Sequence, residues 1–112
     1  GTSDLMFKAF YDALKPGGVL GVVEHRARSG TNLQKQIESG YMTEVYVIDA
    51  AQRAGFKLVA SSEINHNPLD TTDHPGGVWT LPPSLRGVSE KDKPHYLSIG
   101  ESDRMTLKFM KN

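Results

Sequence analysis

Leu14-Lys15-Pro16-Gly17-Gly18-Val19-Leu20-Gly21-Val22-Val23-Glu24-His25 holds a helix end, a chain reversal and a strand in one short stretch. Pro16, Gly17 and Gly18 cannot continue a helix, and Lys15 suits the negative end of a helix dipole. Val19 to Val23 is apolar, rich in β-branched residues and free of period-2 alternation. That pattern predicts a strand buried on both faces, as in a parallel sheet covered by helices. Glu24 and His25 close the strand, and a polar loop follows from Arg26 to Asn32.

Upstream, Ser3 and Asp4 are good N-cap residues, and Phe7, Phe10, Tyr11 and Leu14 fall on one face of a helix. Downstream, Leu33 to Gly40 reads as a loop or a short helical turn. A helix is expected from about Tyr41 to Ala54, with Val45, Ile48 and Ala51 marking its face and Gly55 stopping it. Phe56 to Ser61 alternates as a strand. Helix, strand, helix, strand is α/β order, and the strand-helix-strand unit implies two parallel strands joined by a crossover. From Asn65 to about Gly87 periodicity gives way to turn chemistry rich in Asn, Asp, Pro and Gly. Ser89-Glu90-Lys91-Asp92 resembles a capping box for a short helix ending near Ile99, with Pro94 tolerable in its first turn. Met105, Leu107 and Phe109 alternate with Thr106 and Lys108 in a last strand, Arg104 to Lys111.

The totals exclude several classes. Thirteen basic and thirteen acidic residues cancel, so no electrostatic footprint for nucleic acid or an anionic membrane exists. There is no cysteine, hence no disulfide and no thiolate chemistry. No apolar run approaches the roughly 20 residues that span a bilayer. The chain opens Gly1-Thr2-Ser3 without an initiator Met, as a fragment or a processed chain would. A soluble protein of the bacterial cytoplasm or periplasm is expected.

A helix ending in Leu14-Lys15-Pro16-Gly17-Gly18 before an apolar strand resembles the back half of a class I S-adenosylmethionine-dependent methyltransferase. Ala54-Gly55-Phe56-Lys57-Leu58-Val59 is similar to the helix-to-strand turn that follows in that family. The stretch Asp73-His74-Pro75-Gly76-Gly77-Val78-Trp79-Thr80-Leu81-Pro82-Pro83 resembles a bacterial subgroup of predicted methyltransferases. The resemblance implies the C-terminal part of a Rossmann-like sheet. Val19–Val23 and Phe56–Ser61 would be its fifth and sixth strands, a parallel pair. Arg104–Lys111 would be the seventh, antiparallel and inserted between them, after a long irregular insert over residues 62–103. Residues 1–112 would then be a single partial domain, the substrate-side half of an enzyme that methylates a small molecule. The family's Gly-rich cofactor turn is missing, so S-adenosylmethionine is expected to bind the complete parent and not this chain alone.

The resemblance places Glu24 and His25 at the rim where ligands bind open α/β sheets. His25 is the candidate general base, and Glu24 its orienting partner, a substrate contact, or the partner of a nearby Arg such as Arg26 or Arg28. Trp79, His74 and Asp73 in the insert are candidate substrate contacts. Asp70, Asp73 and His74 have the residue types of a metal site, but their Pro- and Gly-rich setting reads as Asx turns and loop caps. Tyr11 and Tyr41 read as core-edge aromatics, and His66 and His95 have no evident partner. The alternative reading is a non-enzymatic α/β remnant that binds a ligand or pairs with itself through an exposed strand edge.

Overall fold

The structure, a computed structural model, describes residues 2–112. Helix α1 (Thr2–Ala13) leads through the Pro-Gly-Gly turn into strand β1 (Val19–His25). Gly17, at φ 83°, adopts the left-handed backbone that makes this reversal possible. Two helices follow, α2 (Leu33–Ser39) and α3 (Glu44–Ala54), and then strand β2 (Phe56–Ser62). Thr43 caps α3, its hydroxyl accepting from the Tyr46 N–H, and Gly55 closes it in the left-handed region. The long connection carries a short 3-10 helix (Gly77–Thr80) and α4 (Lys93–Ile99), with Pro94 in the first turn of α4. Strand β3 (Arg104–Lys111) ends the chain.

The three strands form one sheet in the order β1-β3-β2, with β3 antiparallel to both neighbours. β3 is the central strand, and its alternation is the cleanest: Met105, Leu107 and Phe109 are each at most 2% exposed. They meet Phe7 of α1, Val47, Ala50 and Ala51 of α3, and Phe56 of β2 in a single core. Tyr11 adds an edge-on contact to Phe56, with ring centroids 5.2 Å apart. Among the described residues, α1 and α3 are the helices that build this core, and both lie against the same sheet face.

This corrects the expectation of a Rossmann-like sheet built on a parallel strand pair. Every ladder is antiparallel, and β1 and β2 share none. Nor is β1 buried on both faces. Leu20 and Val22 pack on the core, whereas Val19 and Val23 are 49% and 53% exposed on the other side. An antiparallel sheet tolerates one bare face, which a parallel α/β sheet does not. The expected face of α3 holds in part: Ala51 is buried and Ile48 packs against the core, but Val45 is exposed and Val47 and Ala50 complete the buried set. Phe10 of α1 is likewise more exposed than its helical spacing suggests.

The prediction from this packing concerns Phe109, fully buried at the centre of the sheet. Phe109→Ala should cost about 3–5 kcal/mol of unfolding free energy, because the cavity forms where sheet and helices meet. Urea denaturation followed by far-ultraviolet circular dichroism measures it; a loss below about 1 kcal/mol would contradict this account of the core.

Candidate functional site

β1 leaves the sheet at His25, and the next residue organises the rim. Arg26 Nε and Nη2 each donate to Asp103 at 2.9 Å, a bidentate pair just ahead of β3. Its Nη1 donates to Glu44 Oε1 at 2.6 Å, at the start of α3. Nη1 and Nη2 also reach the carboxylate of Glu63, just past β2, at 3.2 and 2.9 Å. One guanidinium therefore ties together the exits of β1 and β2, the entry of β3 and the first turn of α3. Both Arg26 and Asp103 are mostly buried, at 14% and 13% side-chain exposure. The bond to Asp103, then that to Glu63, holds the guanidinium even more firmly protonated than usual. Burial works against charge on Asp103, but Arg26 and the N–H of Asn67 outweigh it and hold the carboxyl below its ordinary range.

Asp103 connects to a second buried carboxylate. Its backbone N–H donates to Asp70 Oδ2 at 2.9 Å, and the Tyr41 hydroxyl donates to the same oxygen at 2.8 Å. Asp70 Oδ1 receives the Thr72 N–H at 2.9 Å and lies 2.8 Å from His74 Nε2. The Asp70 side chain is fully buried and that of His74 is 5% exposed. Burial, then Asp70 itself, pushes the Tyr41 phenol far above its ordinary value, so it acts here as a permanent donor.

The five residues singled out from the sequence fall in three places. Glu24 and His25 are adjacent but form no side-chain dyad, since Glu24 Oε1 accepts from the His25 backbone N–H at 3.0 Å. The His25 ring sits with Nδ1 2.5 Å from Ser102 Oγ and lies edge-on to Tyr41. His74 and Asp73 line a cleft of about 320 Å³ beside Tyr41 and Arg28. Asp73 accepts from the Thr71 hydroxyl. Trp79 lies in another recess, with Arg86 and Tyr96, and packs its ring against Gly40 so closely that a Cβ there would stand 2.9 Å from it. Gly77 is as constrained, because a Cβ would collide with the Ser39 backbone at the end of α2.

Sequence reasoning missed Arg26 as the hub, and Asp103, Asp70 and Tyr41 as members. The nearest signal was Arg26 itself, a lone cation at a strand exit, read only as a partner for Glu24. His66, expected to lack a partner, has Nδ1 2.8 Å from both Arg26 Nη2 and Asp103 Oδ1. Among the described residues, no group of three or more His, Cys, Asp or Glu is arranged to hold a metal ion, and no helix is long and apolar enough to cross a membrane.

No protein-family model, no curated protein and no solved structure matches the chain. The resemblance to class I methyltransferases is corrected accordingly, since neither a family match nor a parallel sheet stands behind it. The S-adenosylmethionine cofactor and the small-molecule methyl acceptor that the resemblance implied fall with it.

What the geometry supports at this rim is a clamp, and its pH dependence follows from Asp103. A carboxyl whose folded pKa lies below its unfolded value, about 3.9, stabilises the fold above that value. The contribution is lost as pH falls through the folded pKa. Asp103→Asn should cost about 1.5–3 kcal/mol at neutral pH, the range for a charged hydrogen bond. The gap between wild type and variant should narrow in acid. Urea midpoints taken from neutral to strongly acidic pH test this, and a gap that stays constant would remove Asp103 from the acid response.

Proposed function

We propose that this chain is a non-enzymatic α/β module that associates with a second copy of itself through the free edge of β1. The observation that carries the reading is the direction of the β1 backbone groups. Arg26 N–H donates to Asp103 and Lys111 N–H to Gly18, and β1 pairs Val19 with Met110 and Gly21 with Lys108. Even-numbered residues of β1 therefore turn their N–H and C=O groups to β3, and odd-numbered ones turn theirs outward. At His25 both outward groups are occupied: the C=O accepts from Met42 N–H at 2.8 Å, and the N–H donates to Glu24. Val19, Gly21 and Val23 remain as the open edge.

That edge is centred on Gly21, and a twofold axis there uses all of it. Antiparallel pairing of two β1 strands would set Val19 against Val23, Gly21 against itself and Leu20 against Val22. Each cross-strand pair is apolar and no like charges oppose each other. Between Val19 and Val23 there is no Pro, no charge and no bulge, the usual guards of a solvent edge. The other edge, on β2, is guarded by a register shift between Leu58 and Ala60 and by Lys57.

Surface and charge fit the same reading. A compact monomer of 12.3 kDa exposes about 6,100 Å² by the usual mass scaling, whereas this chain exposes 6917 Å². The excess is comparable with the roughly 800 Å² per partner of an ordinary interface. Met6 and Phe10 of α1 are 45% and 42% exposed and flank an apolar groove of about 260 Å³ along β1, ready to be covered by a second copy. A formal net charge of zero puts no repulsion between copies.

Sedimentation equilibrium tests the proposal. The chain should be a dimer at micromolar concentrations. Val23→Lys, a charge on an exposed edge side chain, should weaken association roughly a hundredfold. Gly21→Pro removes an outward N–H without touching the β3 ladder and should do the same. A wild-type chain that stays monomeric into the millimolar range overturns the reading, as does a dimer indifferent to both substitutions. Pairing of β1 with a different polypeptide would also overturn it.

A further inference from the structure

The sheet face turned away from α1 and α3 is open, and it is sorted by charge. Met105, Leu107 and Phe109 point into the core, so the alternate residues of β3 and their cross-strand partners stand on the other side. Along β1 this face shows Val19 and Val23, 49% and 53% exposed, with Gly21 between them. A Cβ added at Gly21 would meet nothing within 4 Å, so the two valines flank an open notch. Along the other two strands the face shows Lys108, paired with Gly21 and Ala60, and Lys57, paired with Met110. Both lysines are exposed, and neither has an ion pair among the described residues. Glu24 is the one acid in the three strands, and it lies opposite Met105 on the core side.

The face is therefore apolar along one margin and cationic along the other, and it has the dimensions of one helix. Three strands spaced about 4.8 Å apart set the outer two about 10 Å from each other, the diameter of a helix with its side chains. The 7 residues of β1 or of β2 run about 23 Å, the length of about 15 helical residues. A second copy laid face to face would bring lysine against lysine with no carboxylate to answer it. Single-stranded nucleic acid stacks its bases on aromatic rings, and no Phe, Tyr or Trp is among the strand residues of this face.

We infer that this face docks an acidic amphipathic helix of another protein. The apolar stripe of that helix lies along Val19 and Val23, with one large side chain in the notch at Gly21, and its carboxylates stand over Lys57 and Lys108. The two lysines are diagonal neighbours across β2 and β3, about 7 Å apart at the backbone, so carboxylates one helical turn apart reach both. The docked helix makes the sheet the middle of three layers, with α1 and α3 on the far side. The inference does not rest on β1 pairing, because the edge offers backbone groups whereas this face offers side chains, and its cations lie on β2 and β3.

Titration calorimetry of the full chain tests this with a synthetic helical peptide of about 18 residues, Leu in one stripe and Glu in the adjoining one. The same peptide is also made with Gln at every Glu, and again with Lys there. The Glu peptide should bind, the Gln peptide should bind roughly tenfold more weakly, and the Lys peptide should not bind. Lys57→Glu combined with Lys108→Glu replaces exposed side chains outside the core. This variant should reverse the order, binding the Lys peptide and losing the Glu peptide, while its circular dichroism spectrum stays unchanged. It should also sediment as the wild type does, which keeps a failure at this face distinct from a failure of the β1 edge. No binding of the Glu peptide overturns the inference, as does a Gln peptide that binds equally well or a variant that keeps the original order. Binding to vesicles containing phosphatidylserine in place of the peptide overturns it too.

Discussion

The buried carboxylate of Asp70 is the constraint on which the irregular half of the molecule rests. Residues between β2 and β3 have little periodic structure to satisfy their backbone, and burying such a segment is costly unless its polar groups are paired. Asp70 meets that requirement from one point. It gathers the N–H groups of Thr72 and Asp103, the Tyr41 hydroxyl and the His74 ring. Asn67 works beside it, donating to the carbonyls of Ile99 and Glu101 at 2.8 and 2.7 Å, so the two ends of the long connection are tied to each other. Arg26 then links this connection to the sheet through Asp103. Removing one partner of such a buried set leaves the others unpaired, which makes the network cooperative where a surface ion pair such as Lys8–Asp12 is not.

The regular half obeys a simpler rule, in which one face of a small sheet is covered and the other is not. Met105, Leu107 and Phe109 place the core on the side of α1 and α3, and the alternation of a strand then obliges Thr106 and Lys108 to face away. The bare face is mixed in character, with Val19, Val23 and Val59 among Lys57 and Lys108. The edge of β1 is apolar without interruption. Exposed apolar side chains also stand elsewhere, Ile64, Val45 and Ile37 among them, so what sets the β1 edge apart is its unpaired backbone and not a concentration of hydrophobic surface.

Local features were legible in the sequence because local physics sets them. The apolar face of α1, the glycine stops at Gly55 and Gly100, Pro94 in the first turn of α4 and the alternation of β3 all follow from spacing and backbone geometry within a few residues. Burial was less legible. Val19 to Val23 has the composition of a strand covered on both sides, yet composition records what a segment would gain from burial, not whether a covering element is supplied. The clamp was the least legible. Asp70 was read as an Asx-turn residue, and it does accept from Thr72 N–H two positions on. Its bonds to Tyr41 and to Asp103 span 29 and 33 positions, and the His66–Arg26 contact spans 40. No local pattern encodes partners at that distance; only the topology that brings three strand ends to one rim does.

The clamp and the edge are linked through the place where β1 stops. If β1 continued its ladder past His25, its outward groups would lengthen the open edge and shift its centre away from Gly21. Instead Met42 pairs with His25 and Ala27, and the Glu24 carboxylate turns back onto the His25 N–H. Arg26, immediately beyond, still donates its backbone N–H to Asp103, while Met42 covers its outward side and its guanidinium is fixed by Asp103, Glu44 and Glu63. The open edge is thereby trimmed to a stretch that begins and ends on valine and has a glycine at its midpoint, which is the condition for self-complementary pairing. Glu24 and His25, candidates from the sequence for a catalytic pair, also finish the edge in this geometry. Glu24 closes its last free donor, and His25, through Ser102 and Tyr41, fastens that end of the strand to the clamp.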